Sequence, residues 1–227
     1  MTDSDSRVEE LFILNGEDIQ ISGDRRALEK IMGMELPDAV IGALFGGIKG
    51  SRIDIAQDEK NVDVWTSNPW FETPLYFSVE SDVAGISLTI NDFFLAERAP
   101  ATLGTRIIAN LIFQAYSIPR FDSIMASATR FFVPKDGRQI REAGGYYFFP
   151  RLGFNGDPKN ADDIIDIPKK IRGKKLLSIM QDPELRQWWK ENGQTIDVSF
   201  KLKRKRSMRS LQNYLQEKKI ATRNEHA

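Results

Sequence analysis

Four short runs between residues 52 and 95 alternate apolar and polar side chains, and this alternation limits the possible folds more sharply than any other feature. The runs RIDIA (52–56), VDVWT (62–66), PLYFSV (74–79) and ISLTINDFFL (86–95) are rich in β-branched and aromatic residues. Turn formers separate them, among them Asp58-Glu59-Lys60-Asn61 and Ser81-Asp82. A period of two puts successive side chains on opposite faces of a strand, so these runs predict an antiparallel meander.

The period then changes. In LGTRIIANLIFQAY (103–116), Leu103, Ile107, Ile108, Leu111, Ile112 and Ala115 recur at the spacing of one helix face, and Pro119 ends the pattern. FDSIMASA (121–128) is again strand-like, and residues 137–147 are read as a second helix, weakened by Gly144 and Gly145. Strand, helix and strand after a meander predict an α+β fold, with a mixed, mostly antiparallel sheet flanked by helices.

On either side the chain is elaborated. Residues 1–10 read as a loose arm, 8–21 as an apolar run broken at Asn15-Gly16, and 24–34 and 36–45 as helices. Residues 1–37 are therefore expected to form an N-terminal helical extension of a domain spanning 38–220. Within that domain, 155–175 is polar, contains Asp162-Asp163, and reads as a long loop or insertion. PELRQWWKENG (183–193) is a short helix after Asp182, TIDVSFKLK (195–203) a strand and 207–219 a terminal helix, a strand-helix elaboration before a flexible tail at 221–227.

Composition removes several chemistries. The chain has no cysteine, and its one histidine is His226, so thiol nucleophiles, thiolate metal sites and histidine-centred triads are excluded and no metal is expected. Lys and Arg total 32, as do Asp and Glu, so no global field commits the chain to a polyanion. No apolar run approaches the roughly 20 residues of a membrane helix. The opening MTDSDSRVEE lacks the blocks of a signal peptide, and a cytoplasmic location without membrane partners is expected.

Three features stand in order: a strand ending Phe93-Phe94-Leu95, a loop into a helix opening Thr102-Leu103-Gly104-Thr105-Arg106, and a later segment ending Leu152-Gly153-Phe154. This order resembles the GNAT superfamily of acyl-CoA-dependent N-acyltransferases, over roughly residues 38–220. The stretch GGYYFFPRLGF (144–154), with LRQWWKENGQTIDVSFKL and SMRSLQNYL, is similar to a bacterial and phage subgroup of GNAT-like proteins. The resemblance implies acetyl-CoA or another acyl-CoA as cofactor and an amine as acceptor. Its phosphates would lie at the helix opening of Leu103, Gly104, Thr105 and Arg106, where amides and the helix dipole favour anions. Backbone groups near Phe94 and Leu95 would pair with the pantetheine arm.

The family's catalytic groups carry over incompletely. Asp92 stands on the strand that supplies a base, with strand alternation placing it opposite Asn91, and Ser127 on the next strand could line the acceptor side. The plainer reading of Asp92 is a solvated carboxylate. The family signature Q/R-x-x-G-x-G/A meets Ala99 and Thr102 at its first two fixed positions, with Arg98 one place away and Pro100 removing an amide. Phe149 stands where a proton-donating tyrosine is expected, leaving Tyr146 and Tyr147 as candidates, or all four aromatics as core. Pro150 is expected to disfavour a helix at Phe149. These departures leave a second reading open, a GNAT-like scaffold without catalysis that serves binding or assembly.

Two basic stretches support a third reading, a patch for tRNA, other nucleic acid or the CoA 3′-phosphate. They comprise Lys169, Lys170, Arg172, Lys174 and Lys175, and then Lys201, Lys203, Arg204, Lys205, Arg206 and Arg209. Trp188 and Trp189 are candidates for base stacking or for anchoring their helix. The plainer reading of the second stretch is a charged strand edge that discourages pairing.

Overall fold

The computed structural model describes residues 8–12, 18–135, 139–160 and 168–220, with the backbone alone at 131–135 and 139–143. The arm at 1–7, Asn15-Gly16, Asp162-Asp163 and the tail at 221–227 lie outside the described residues. The chain forms two compact units, one running to Ile124 and including Ile220, the other covering Met125–Lys219.

The first unit opens on β1 (Ile19–Gly23), followed by α1 (Arg25–Met32) and α2 (Asp38–Leu44). The meander follows as β2 (Ser51–Gln57), β3 (Val62–Ser67), β4 (Leu75–Ser81) and β5 (Ile86–Asp92), each antiparallel to its predecessor. Alternation sets the register: Ile55 faces Val64, Val64 faces Phe77, and Phe77 faces Ile90, all buried. Burying each such side chain contributes about 2 kcal/mol. The other face stays half-exposed, with Trp65 stacked on Tyr76 at 5.2 Å.

Residues 19–23 were not read as a strand of this sheet. Here β1 pairs with β2 in parallel, Ile21 opposite Ile53, and the two predicted helices form the crossover between them. Gly23 makes the exit possible. It sits at φ +88°, and a Cβ there would fall 1.9 Å from the Ile55 carbonyl oxygen. Asp24 then caps α1 by accepting from the Ala27 amide at 3.0 Å. Arg25 ties α1 to the start of α2 through Glu29 and Asp38. The N-terminal elements thus belong to the same unit as the meander, and the division of the chain falls inside a later strand.

That strand is β6 (Phe121–Ala128), reached through α3 (Leu103–Ser117). The second unit continues with the hairpin β7 (Arg130–Lys135) and β8 (Gln139–Gly144), then α4 (Gly145–Arg151), α5 (Leu176–Gln181), α6 (Pro183–Asn192), β9 (Ile196–Lys201) and α7 (Lys205–Glu217). Seven strands order as β1-β2-β3-β4-β5-β6-β9 in one mixed sheet, and β7-β8 stand apart. The architecture is α+β, a mixed sheet flanked by helices. Among the described residues no helix is long and apolar enough to cross a membrane.

The helix expected over 137–147 is a correction. Residues 139–144 pair antiparallel with β7, Gln139 opposite Lys135 and Gly144 opposite Arg130, and helix begins only at Gly145. Arg141, Glu142 and Ala143 have good helix propensity, but pairing with a neighbouring strand overrides it. Pro150 is a second correction, since α4 runs through it. The ring removes the amide that would reach back to the Tyr146 carbonyl. The indole of buried Trp189 donates to that carbonyl at 2.9 Å instead, so the proline leaves no orphan acceptor.

Leu152-Gly153-Phe154 is the cap of this helix. The Gly153 amide donates to the Pro150 carbonyl and the Phe154 amide to Phe149, both at 3.2 Å. Gly153 takes φ +99°, the left-handed conformation such a cap requires. The rings of Phe149 and Phe154 meet at 5.1 Å, and Phe154 meets Phe200 of β9 at 5.5 Å. A Cβ on Gly153 would also lie 2.4 Å from the Ser207 carbonyl oxygen, so α7 is seated directly on this glycine.

Candidate functional site

The strand-loop-helix singled out by the sequence lies in the first unit. β5 ends in a bulge: Phe77 pairs with Ile90 but Tyr76 pairs with Asp92, so Asn91 is the extra residue. The bulge cancels the expected alternation, and both Asn91 and Asp92 are exposed. Asn91 donates to Ser78 at 2.5 Å. Beyond the strand, the Phe94 carbonyl accepts from the Glu72 amide and the Ala96 amide donates to Trp70, both at 2.9 Å. Phe94 and Leu95 are half-buried, with Leu95 bridged to Phe71.

The opening of α3 combines two properties. Thr102 stands at the N-cap without a side-chain hydrogen bond, and the first turn holds no acid, so no side chain of the turn competes with an incoming anion. The same turn is buried: Leu103 is 0% exposed, Thr105 5% and Arg106 7%. The Leu103 amide donates to the Pro100 carbonyl at 2.9 Å, and the Arg106 guanidinium lies 3.6 Å from Glu9. Arg98 turns away, donating to the Pro69 carbonyl at 3.1 Å and lying over the Trp70 ring. In donor chemistry the opening fits a diphosphate, and access is restricted by burial.

The aromatic run lies in the second unit on α4. Tyr146 is 3% exposed, and its phenol donates to the Lys190 carbonyl at 2.6 Å while Arg130 covers its ring at 4.9 Å. That phenol is committed to joining α4 to α6. Tyr147 is half-buried, with the Arg151 and Lys190 cations each 6.0 Å from its ring. Phe149 packs on Phe148 and Phe154. Arg151 lies over the Tyr214 ring and pairs with Glu217 at 2.6 Å, a hydrogen bond that holds the Glu217 carboxyl below its usual range against partial desolvation. Ser127 is exposed on β6, Trp188 is half-buried, and Trp189 is a core anchor.

One feature was missed by the sequence reading, and another was read only as two separate stretches. Lys30, Lys60 and Arg120 line an open cavity of about 280 Å³ in the first unit, beside Glu59, and no motif marks it. The other was visible as a count. Residues 168–219 carry 15 Lys and Arg against 5 Asp and Glu, a net charge of +10 in a chain that balances 32 against 32 overall. Totalling the whole chain hides this segregation. Among the described residues no group of His, Cys, Asp or Glu is placed to hold a metal ion. No protein-family model matches the chain, and no curated protein matches it in sequence.

Proposed function

We propose that the chain is a GNAT-like, acyl-CoA-dependent N-acyltransferase that passes an acyl group to an amine. The observation that carries the reading is the consecutive order of β5, α3 and β6, with the uncapped, acid-free opening of α3 following the bulged end of β5. Acyl-CoA, when bound, supplies a thioester open to attack by an amine. The Gly104 and Thr105 amides and Arg106 would hold its phosphates. Exposed Asp92 is the candidate to accept the proton leaving the amine. Within the second unit Tyr146 is spent on the Lys190 carbonyl, which leaves Tyr147 as the uncommitted phenol of the aromatic run.

The burial of residues 103–106 and the engaged Phe94 carbonyl favour a second reading, a scaffold of the same kind that binds without transfer. Thermal melting with acetyl-CoA and thiol release with an amine panel separate the two. Ligand at 100 times its dissociation constant adds about 2.7 kcal/mol to stability, a shift of several degrees. A raised midpoint with thiol release supports the acyltransferase, and a raised midpoint without release supports the scaffold. A midpoint unmoved by acetyl-CoA sinks the acyl-CoA reading.

A further inference from the structure

We propose that the second unit binds nucleic acid through its phosphate backbone, on a face built from the 169–175 stretch, α5 and the start of α7. This stands apart from the acyl-transfer reading and rests on different residues. The two basic stretches are separate in sequence, and Arg206 joins their neighbourhoods. Its guanidinium donates to Ser178 at 3.0 Å and to Gln181 at 2.8 Å, both on α5, whose N-cap is Lys175. These acceptors are neutral, so they fix the side chain without cancelling its charge. Lys203, Arg204, Lys205 and Arg209 are exposed and form no ion pair among the described residues, and the same holds for Lys169 and Lys174.

Edge protection does not account for this charge. Only Lys201 lies on β9, and the edge is already bridged where Asn155 and Ser199 exchange hydrogen bonds at 2.9 Å. The cations sit instead at the positive end of α7, which has no acid in its first turn and no capping side chain. Like charge at a helix N-terminus is unfavourable, so local stability does not explain it either. A broad face of cations drawn from the 169–175 stretch and from 203–209, with Arg206 fixed on α5 between them, suits a chain of regularly spaced phosphates. A bilayer is disfavoured because membrane-surface helices pair cations with exposed apolar side chains. Among the described residues, the large apolar side chains that are exposed, Met34, Val83 and Tyr116, lie in the first unit.

The test is fluorescence anisotropy of the full chain with labelled single-stranded RNA, and DNA of the same sequence, of about 20 nucleotides, longer than one typical single-strand site. The expected result is affinity that falls steeply with salt, losing about 0.7 of log-log slope for each phosphate contact removed from a single strand. Lys203→Glu/Arg204→Glu/Lys205→Glu should weaken binding at least about ten-fold on every sequence. Lys169→Glu/Lys174→Glu, in the other stretch, should weaken it as well, and serves if the triple variant fails to fold. Lys30→Glu/Lys60→Glu in the first unit should leave binding unchanged. Absence of salt-sensitive binding to both probes, wild-type affinity in folded variants of both stretches, or retention on phosphatidylserine vesicles alone would overturn the proposal.

Discussion

The helix openings at Leu103 in the first unit and at Lys205 in the second both lack a capping side chain, and they handle the positive end of the helix dipole in opposite ways. At α3 the turn is apolar and buried, and its one cation, Arg106, is turned to Glu9. At α7 the first turn carries the exposed cations Lys205 and Arg206, which oppose the dipole, whereas Glu217 at the far end is followed by Lys218 and Lys219. Arg151 offsets the far end and no acid of the first turn offsets the near one. A buried opening is settled by its own chain, whereas the exposed one keeps a demand for anions that a partner can meet. The opening that resembles a cofactor cradle is therefore the less accessible of the two.

The largest expected effect comes from unseating α7. Gly153→Ala forces a Cβ against the Ser207 carbonyl at a left-handed position and should cost about 3 kcal/mol in denaturant unfolding. An equal midpoint for this variant would show that α7 does not rest on the cap. At the other opening, Glu9→Gln strips the carboxylate from a buried guanidinium, and about 1 kcal/mol is expected after discounting for the partial exposure of Glu9. A larger loss would mean that the N-terminal segment anchors α3 more firmly than one ion pair can.

Lys205→Glu sharpens the contrast, because it places an acid in the first turn of α7. It should stabilise the chain by about 0.5 kcal/mol while weakening nucleic-acid binding, a trade expected of a functional site and not of a structural one. Loss of stability here would remove the argument from the dipole. The smallest effect is on acid sensitivity. Hydrogen bonds from Arg151 hold the Glu217 carboxyl low, and Lys175 does the same for Asp157. Because these folded pKa values lie below the unfolded ones, their contribution is present above the ordinary carboxylate range and is lost as pH falls through the folded values. Glu217→Gln should slightly flatten the fall of the melting temperature on the acid side, and an unchanged slope would count against the pair.

The meander was legible because one buried face imposes a period of two, which each of its four strands shows up to its last residues. β1 was not, because its parallel partner lies two helices away and nothing within IQISG names it. The strand at 139–144 was hidden by residues that favour helix when read without a partner. At the site, the resemblance drew attention to Tyr146 and Phe149 as proton donor and lost proton donor, whereas their contacts make one a tie between helices and the other half of a helix cap. That difference depends on Lys190 and Phe154, whose proximity is a property of the fold. The concentration of charge in 168–219 was legible as two basic stretches, and its size emerges only when that segment is counted by itself.

The indole that completes α4 at Pro150 also provides an optical handle on the second unit. The four tryptophans fall two in each unit, and only Trp189 is fully enclosed and hydrogen-bonded to a buried carbonyl. With Trp65, Trp70 and Trp188 replaced by phenylalanine, its emission should be blue-shifted in the native state and move red when α4 and α6 part. A single fluorophore would then time the opening of the basic unit, independently of the meander.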